Sequence, residues 1–274
     1  MIDMHTHPCD LLDQKIRMDF EASGEIPSQV LATFVRAVEG AERVVVLPLW
    51  APECHIEVSN AFVAAVVRHD PARFVGFANV NPASPDAISQ LEYTVQEYGV
   101  RGLKLAPIYQ QFTPDDEALW PFYARVQELG LPILWHQGTS NMAPTGSLDD
   151  ARPVRLDRVA TSFPGIKMVI AHFGYPWYGD VLALLRKCAN VYTDVSVLGD
   201  RQWYLYNAMI GAMEYHATDK ILFGSDYPGF TTLEMADAFL RLPSIGRGAG
   251  LPHVPEDLVE EIIERDSLSL LGIE

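Results

Sequence analysis

Residues 2–8 read Ile-Asp-Met-His-Thr-His-Pro, almost at the first residue of the chain. In a strand, side chains alternate between faces, so His5 and His7 point the same way. Two imidazoles on one face at a strand end can grip a single metal ion. The next residues, Cys9 and Asp10, complete a loop start without glycine. An open doubly wound sheet would place a Gly-rich phosphate loop here, immediately after the first strand. The stretch therefore favours a (β/α)8 TIM barrel, whose chemistry gathers at the C-terminal strand ends.

The rest of the chain extends that reading. Short apolar runs recur at 44–47, 74–77, 102–105, 132–135, 168–171, 191–193 and 221–223, and residues 2–6 make eight. Each is rich in β-branched, aromatic or leucine side chains, as strands buried on both faces are. Helical apolar spacing lies between them, as in Val30-Leu31-Phe34-Val35-Val38, Ile88-Leu91-Val95, Leu119-Phe122-Val126-Leu129 and Val181-Leu184-Leu185. Ser84 before Pro85 and Thr113 before Pro114 read as helix caps, and Gly99 and Gly130 as left-handed helix ends. With no linker or low-complexity segment, residues 1–274 are expected to form one domain. Residues 8–28 are long for a βα connection and would overhang the barrel mouth as a lid. Residues 242–255, rich in Gly and Pro, read as a passive surface loop.

The 274 residues carry a formal charge of −16, which repels polyanions and argues against nucleic acid or an acidic membrane as partner. Cys9, Cys54 and Cys188 lack CxxC spacing and are odd in number, as in a reduced protein. No apolar run reaches the length of a membrane span, and no signal peptide is evident, so a cytoplasmic location is expected. A small-molecule substrate fits this profile, and a homodimer is the base-rate oligomer.

Reading the strand ends in order gives His5 and His7 on the first strand, Lys104 on the fourth and His136 on the fifth. His172 follows on the sixth and Asp226 on the eighth. Parity groups Lys104 with Gly102 and Ala106, His136 with Leu134, His172 with Ile170, and Asp226 with Leu222 and Gly224. One assignment of faces aims all six polar groups inward. His55, His69, His216 and His253 fall in helices, helix ends or loops and do not converge. A lone histidine at a strand end is usually structural. This set points to a metal, with zinc the first choice and manganese, iron or cobalt compatible with the same ligands. Asp3 shares parity with His5 and suits a structural hydrogen bond deeper in the barrel. Cys9 has no basic partner that would make it a nucleophile.

The segments 2–8 (IDMHTHP), 76–82 (GFANVNP), 101–107 (RGLKLAP), 135–139 (WHQGT), 170–177 (IAHFGYPW), 221–228 (ILFGSDYP) and 266–273 (DSLSLLGI) together resemble the amidohydrolase superfamily. More narrowly, they resemble its amidohydrolase-related branch of metal-dependent hydrolases and decarboxylases. The resemblance covers essentially the whole chain and implies a (β/α)8 barrel with one divalent metal. It implies His5, His7, His136 and Asp226 as ligands and His172 as the acid/base residue. A buried lysine costs desolvation unless something anionic meets it, so Lys104 is read first as binding a substrate carboxylate or pairing with an acid. Binuclear relatives carry a carboxylated lysine at that strand, which is the third reading. Tyr109 and Trp177 stand on the loops after strands four and six, where they would wall a flat or ring-containing substrate. The same parts serve two reactions. One is hydrolysis by metal-activated water; the other is non-oxidative decarboxylation of an aromatic or unsaturated acid. A TatD-type deoxyribonuclease also opens with His-x-His, but it would bring an acidic ligand on strand three, where Asn79 and Asn81 stand. A non-catalytic metal-binding protein on the same scaffold is disfavoured because all six barrel-top groups are present.

Overall fold

A computed structural model describes residues 1–140 and 142–273. Eight short parallel strands carry the architecture: β1 (Ile2–Thr6), β2 (Arg43–Val46), β3 (Phe74–Gly76), β4 (Leu103–Leu105), β5 (Ile133–Trp135), β6 (Met168–Ile170), β7 (Val191–Asp194) and β8 (Ile221–Leu222). β1–β2–β3 form one ladder and β4 to β8 another, each strand beside its predecessor. Backbone bonds join the two ladders at both seams. Ala78 N–H donates to Gly102 O at 2.9 Å and Lys104 N–H to Ala78 O at 2.7 Å. On the other side, Met4 N–H donates to Phe223 O at 3.0 Å and Asp226 N–H to His5 O at 2.7 Å. The result is a TIM barrel, and all eight expected strands are in it.

Strand alternation divides the buried side chains into two shells. Met4, Val45, Val75, Leu134, Val169 and Leu222 fill the barrel interior. Leu103, Leu105, Ile133, Trp135, Met168 and Ile170 face the helical layer, against Phe122, Tyr123 and Val159. Each such fully buried side chain contributes roughly 1.5–3 kcal/mol. Leu268, Leu271 and Ile273, from the helix Ser267–Leu271 and the residues after it, join the interior cluster. The polar groups of interest occupy the opposite end of the barrel, at the C-terminal strand ends.

Several local expectations need correction. The helix Ala87–Tyr98 starts after Asp86, so Ser84 does not cap it; Ser84 contributes only its carbonyl, to Ala87 N–H. Thr113 does not cap either. Asp116 does so by accepting from Ala118 N–H, ahead of a short 3-10 turn and the helix Trp120–Glu128. Asp86 stands at the first helix's N-cap position without a side-chain cap bond, whereas Asp116 makes one. Gly99 and Gly130 do take left-handed conformations, with φ of 61° and 66°. The segment after β1 is not irregular throughout. It holds the helix Gln14–Ser23, capped by Asp13 and ended by left-handed Gly24, and Arg17 pairs with Glu57. Glu57 belongs to an antiparallel hairpin, Leu49–Ala51 with Ile56–Val58, whose strands were too short to read from sequence. Leu49 and Ala51 turn toward Tyr109 while Trp50 points away.

β1 carries a bulge. Asp3 pairs with Val44 and Thr6 with Val46, so three steps on β1 match two on β2. Strict alternation fails there, which lets Met4 pack in the interior while His5 also reaches the barrel top. The Asp3 carboxylate accepts from His5 N–H, Ser225 N–H and the Thr232 hydroxyl, at 3.2, 2.9 and 2.6 Å. Its role is structural, as expected, but it ties the barrel to the helix Thr232–Leu240.

Candidate active site

Four of the six polar groups expected at the barrel top gather around a fifth, the Asp226 carboxylate. Asp226 Oδ1 lies 3.2 Å from His5 Nε2 and 3.6 Å from His7 Nε2, and its Oδ2 lies 3.9 Å from His172 Nε2. Lys104 Nζ sits 2.9 Å from His5 Nε2. His5, His7, Lys104 and His172 are all buried, while the Asp226 side chain is 19 % exposed and opens toward the mouth. His136 stands beside this group. Its ring centroid is 5.1 Å from that of His172 and 4.8 Å from that of Tyr109.

Two of these positions depend on unusual backbone. His172 has φ of 56° and Asp226 φ of 59°, both in the left-handed region that non-glycine residues avoid. This corrects the parity assigned to His172. Val169 and Ala171 face the barrel interior while Ile170 faces the helices, so His172 does not share a face with Ile170. The left-handed turn re-aims its side chain into the site. Strain of this kind persists where the surroundings over-determine it, and it clusters at functional positions.

The hydrogen-bond partners assign the imidazole tautomers. His7 Nδ1 faces the Leu47 carbonyl at 3.0 Å, which can only accept. His5 Nδ1 faces Asp194 Oδ2 at 2.9 Å. His172 Nδ1 faces the Ser196 hydroxyl at 2.8 Å and the Ser196 carbonyl at 3.2 Å, and that hydroxyl donates its own proton to Asp194 Oδ1 at 2.5 Å. All three rings therefore carry hydrogen on Nδ1 and turn an Nε2 lone pair toward Asp226. Burial first, then the Lys104 charge, holds His7 down to about 3, so the ring is neutral. Burial also drives His5, His136 and His172 well below the ordinary histidine range, helped by neighbouring imidazoles and Lys104. Burial lifts Asp226 to about 7 against the pull of Lys104, and lowers Lys104 to about 8 against Asp226 and Asp194.

Three lone pairs and a carboxylate facing one another repel unless something positive lies among them. Lys104 offers one proton, to His5. Among the described residues, His5, His7 and Asp226 each present one ligand atom within 4.8 Å of the others, and buried His136 Nε2 has no hydrogen-bond partner. Such a donor set fits a divalent cation of borderline softness. The trio His5, His172 and Asp194 has the same span, but hydrogen bonds already join its members.

A family model described as Amidohydrolase matches residues 2–265. The chain belongs to the amidohydrolase family. Its members are enzymes, and a divalent metal is expected in them. An uncharacterised TIM-barrel protein from Bordetella bronchiseptica superimposes with a TM-score of 0.74 at 25 % identity, covering 99 % of this chain and 98 % of that one. A dihydroxybenzoic acid decarboxylase from Polaromonas sp. JS666, solved with bound manganese and the inhibitor 2-nitroresorcinol, gives 0.66 at 19 % identity over 99 % and 96 %. A probable 2-pyrone-4,6-dicarboxylic acid hydrolase from Acinetobacter baumannii, with citric acid bound, gives 0.68 at 16 % identity over 99 % of both chains. No curated protein sequence matches.

Within this amidohydrolase fold the remaining expected residues separate. Lys104 is buried and, among the described residues, meets the His5 ring rather than a carboxylate at hydrogen-bond distance. Tyr109 is buried and its hydroxyl donates to Ser140 Oγ at 2.6 Å, so its edge rather than its hydroxyl faces His136. Burial pushes that hydroxyl above its ordinary range. Trp177 packs partly buried against the cluster of Leu49, Ala51, Tyr109 and Ala143, with Arg152 5.9 Å over its ring. The four histidines set aside from sequence lie outside the constellation. Cys9 is buried, with its thiol pushed up to about 12 by burial and two aspartates. The three cysteines are free, and no helix among the described residues is long and apolar enough to cross a membrane.

Two residues that the sequence reading missed belong to the site. Asp194 ends β7 and Ser196 follows it. The run VYTDVS (191–196) offered a signal, an acid at a strand end in a barrel whose other strand ends carry histidines.

Proposed function

We propose that this chain is a metal-dependent hydrolase acting on a small cyclic or carboxylate-bearing molecule, with residues 1–274 working as one unit. The supporting observation is the convergence of three imidazole lone pairs on the Asp226 carboxylate, at 3.2, 3.6 and 3.9 Å. His5, His7 and Asp226 would hold the cation, and His136, whose Nε2 is unpartnered, would turn to complete the set. Zinc is the first choice for this donor set, with manganese, iron or cobalt as alternatives. When bound, the cation supplies Lewis acidity toward water and a substrate oxygen.

The chain's own groups move the protons. Asp226, with an affinity for protons near neutrality, takes one from the attacking water. His172 Nε2, 3.9 Å from Asp226 Oδ2, relays it to the leaving atom. Lys104, freed from His5, offers an ammonium to a substrate carboxylate. Tyr109 and Trp177 form an apolar wall that excludes water from the reacting bond.

That wall also favours a second reaction with the same groups. A carboxylate stripped of water beside an apolar surface loses CO2 more readily, and a proton held on Asp226, raised to about 7, would then pass to the carbon left behind, directly or through His172 Nε2. Elemental analysis of wild type, His5→Ala and Asp226→Ala tests the common core. About one divalent metal per chain, lost in both variants, is the expected result. A folded wild type that takes up no metal would overturn it. Product analysis then separates the reactions, since hydrolysis yields acid plus alcohol or amine and the alternative releases CO2.

A further inference from the structure

Asp194 is fully buried, lies outside the cation-binding set proposed above, and gathers several hydrogen bonds at the barrel top. Its Oδ1 receives three: His172 N–H at 2.8 Å, Ser196 N–H at 3.1 Å and the Ser196 hydroxyl at 2.5 Å. Its Oδ2 faces His5 Nδ1 at 2.9 Å. The Ser196 hydroxyl, having donated to Asp194, has only lone pairs left for His172 Nδ1 at 2.8 Å and His5 Nδ1 at 3.1 Å.

We propose that Asp194 is a positioning residue that sets two tautomers at once, His5 by direct contact and His172 through Ser196, so that both Nε2 lone pairs face Asp226. The assignment rests on the proposed function for its consequence, because a ligand and a proton carrier both need that lone pair. It does not rest on it for the tautomers themselves.

Three donors on Oδ1 make the carboxylate asymmetric. In Asp194→Asn, the amide oxygen is forced to the Oδ1 position, since an NH2 group there would meet three donors. The NH2 group then falls opposite His5 Nδ1 and donates to it. A ring nitrogen that accepts carries no hydrogen, so His5 shifts to the Nε2–H form, which donates toward Asp226 Oδ1 at 3.2 Å and displaces the Lys104 ammonium that the wild-type lone pair accepts from. The substitution is nearly isosteric, so packing is preserved while the sense of one hydrogen bond is reversed. Outer partners of ligating histidines typically change metal affinity 10- to 100-fold, by fixing tautomer and orientation.

The test is long-range nitrogen–proton NMR on 15N-histidine-labelled protein kept free of metal, which reads each ring's tautomer without any turnover. Wild type is expected to show Nδ1–H for both His5 and His172, and either ring in the Nε2–H form would overturn the proposal. Folded Asp194→Asn is expected to show His5 as Nε2–H and His172 still as Nδ1–H. Persistence of Nδ1–H on His5 would overturn it equally. Ser196→Ala serves if that variant does not fold: His5 should keep Nδ1–H on Asp194, while His172, left with a carbonyl at 3.2 Å, should show weaker Nδ1–H shielding or a tautomer mixture. An unchanged His172 would break the relay. A companion titration with Co2+ should weaken roughly 10- to 100-fold in Asp194→Asn with a changed visible spectrum. A wild type that binds no Co2+ but shows the expected tautomers would sink the proposed function and leave Asp194 as assigned.

Discussion

Gly224 lies between β8 and Asp226, and the space it leaves is filled by His5. A Cβ at 224 would stand 2.8 Å from His5 Cβ, 3.2 Å from His5 N and 3.4 Å from Ser196 Cβ. Carbon atoms in contact settle at about 3.5–4.0 Å, so Gly224→Ala must drive the two strands apart by roughly 0.7 Å or more. Neither strand yields freely, because Met4 N–H is bonded to Phe223 O and Asp226 N–H to His5 O. Overpacking of this kind costs about 1–3 kcal/mol, or roughly 2–10 °C in Tm for a chain of this size. The same displacement lengthens the 2.9 Å contact of His5 with Asp194 and misplaces Nε2 against Asp226. Misplacement on the 1 Å scale can cost about 100-fold in rate, and a loss of metal affinity of at least about tenfold is expected. The assay is thermal melting in chelator followed by competition titration with a divalent metal. Gly179→Ala is the control: it lies in the helix Tyr178–Lys187, and a Cβ there meets nothing within 4 Å. That variant should melt at or slightly above wild type, since Ala is favoured over Gly in a helix by about 0.5–1 kcal/mol. Gly224→Ala with wild-type Tm and wild-type metal affinity would refute the reasoning.

His136→Leu removes a buried nitrogen that lacks a partner among the described residues, so metal-free protein should melt no lower than wild type while metal affinity falls at least about tenfold. A drop in metal-free Tm beyond about 5 °C would show the ring to be structural. Metal must displace protons from Asp226, raised to about 7, and free His5 from Lys104, lowered to about 8. Apparent affinity should therefore climb from about pH 6 to about pH 8, with proton release visible in calorimetry across buffers of different ionisation heat; a pH-independent constant would contradict this. Thr231 and Glu234 form a reciprocal cap at the start of the helix Thr232–Leu240, and Thr231→Ala should cost about 1 kcal/mol. Hydrogen bonds from Thr231 hold the Glu234 carboxyl below its ordinary value. A depressed carboxyl stabilises above its unfolded value and loses that stabilisation as pH falls through the folded one. The Tm gap between wild type and Thr231→Ala should accordingly be full at neutral pH and shrink in acid.

The gathering of these polar side chains at one end of the barrel was legible in the sequence. His5, His7, Lys104, His136, His172 and Asp226 were identifiable because a barrel brings every strand's C-terminal end to one rim, so residues far apart in the chain can be placed by counting along each strand. Apolar runs fixed the strands themselves, since burial on both faces leaves few residue types to choose from. Counting failed where the backbone left strand geometry. The β1 bulge and the left-handed His172 and Asp226 depend on what neighbouring strands press against them, which local residue preference does not encode. The helix start at Asp86, the cap at Asp116 and the hairpin at 49–58 were missed because short local signals compete and tertiary contacts choose among them. Asp194 shows the division most clearly. Its position in the sequence says only that an acid ends a strand. That one of its oxygens meets three donors and the other an imidazole, thereby fixing the tautomers of His5 and His172, follows from residues brought together only by closure of the barrel.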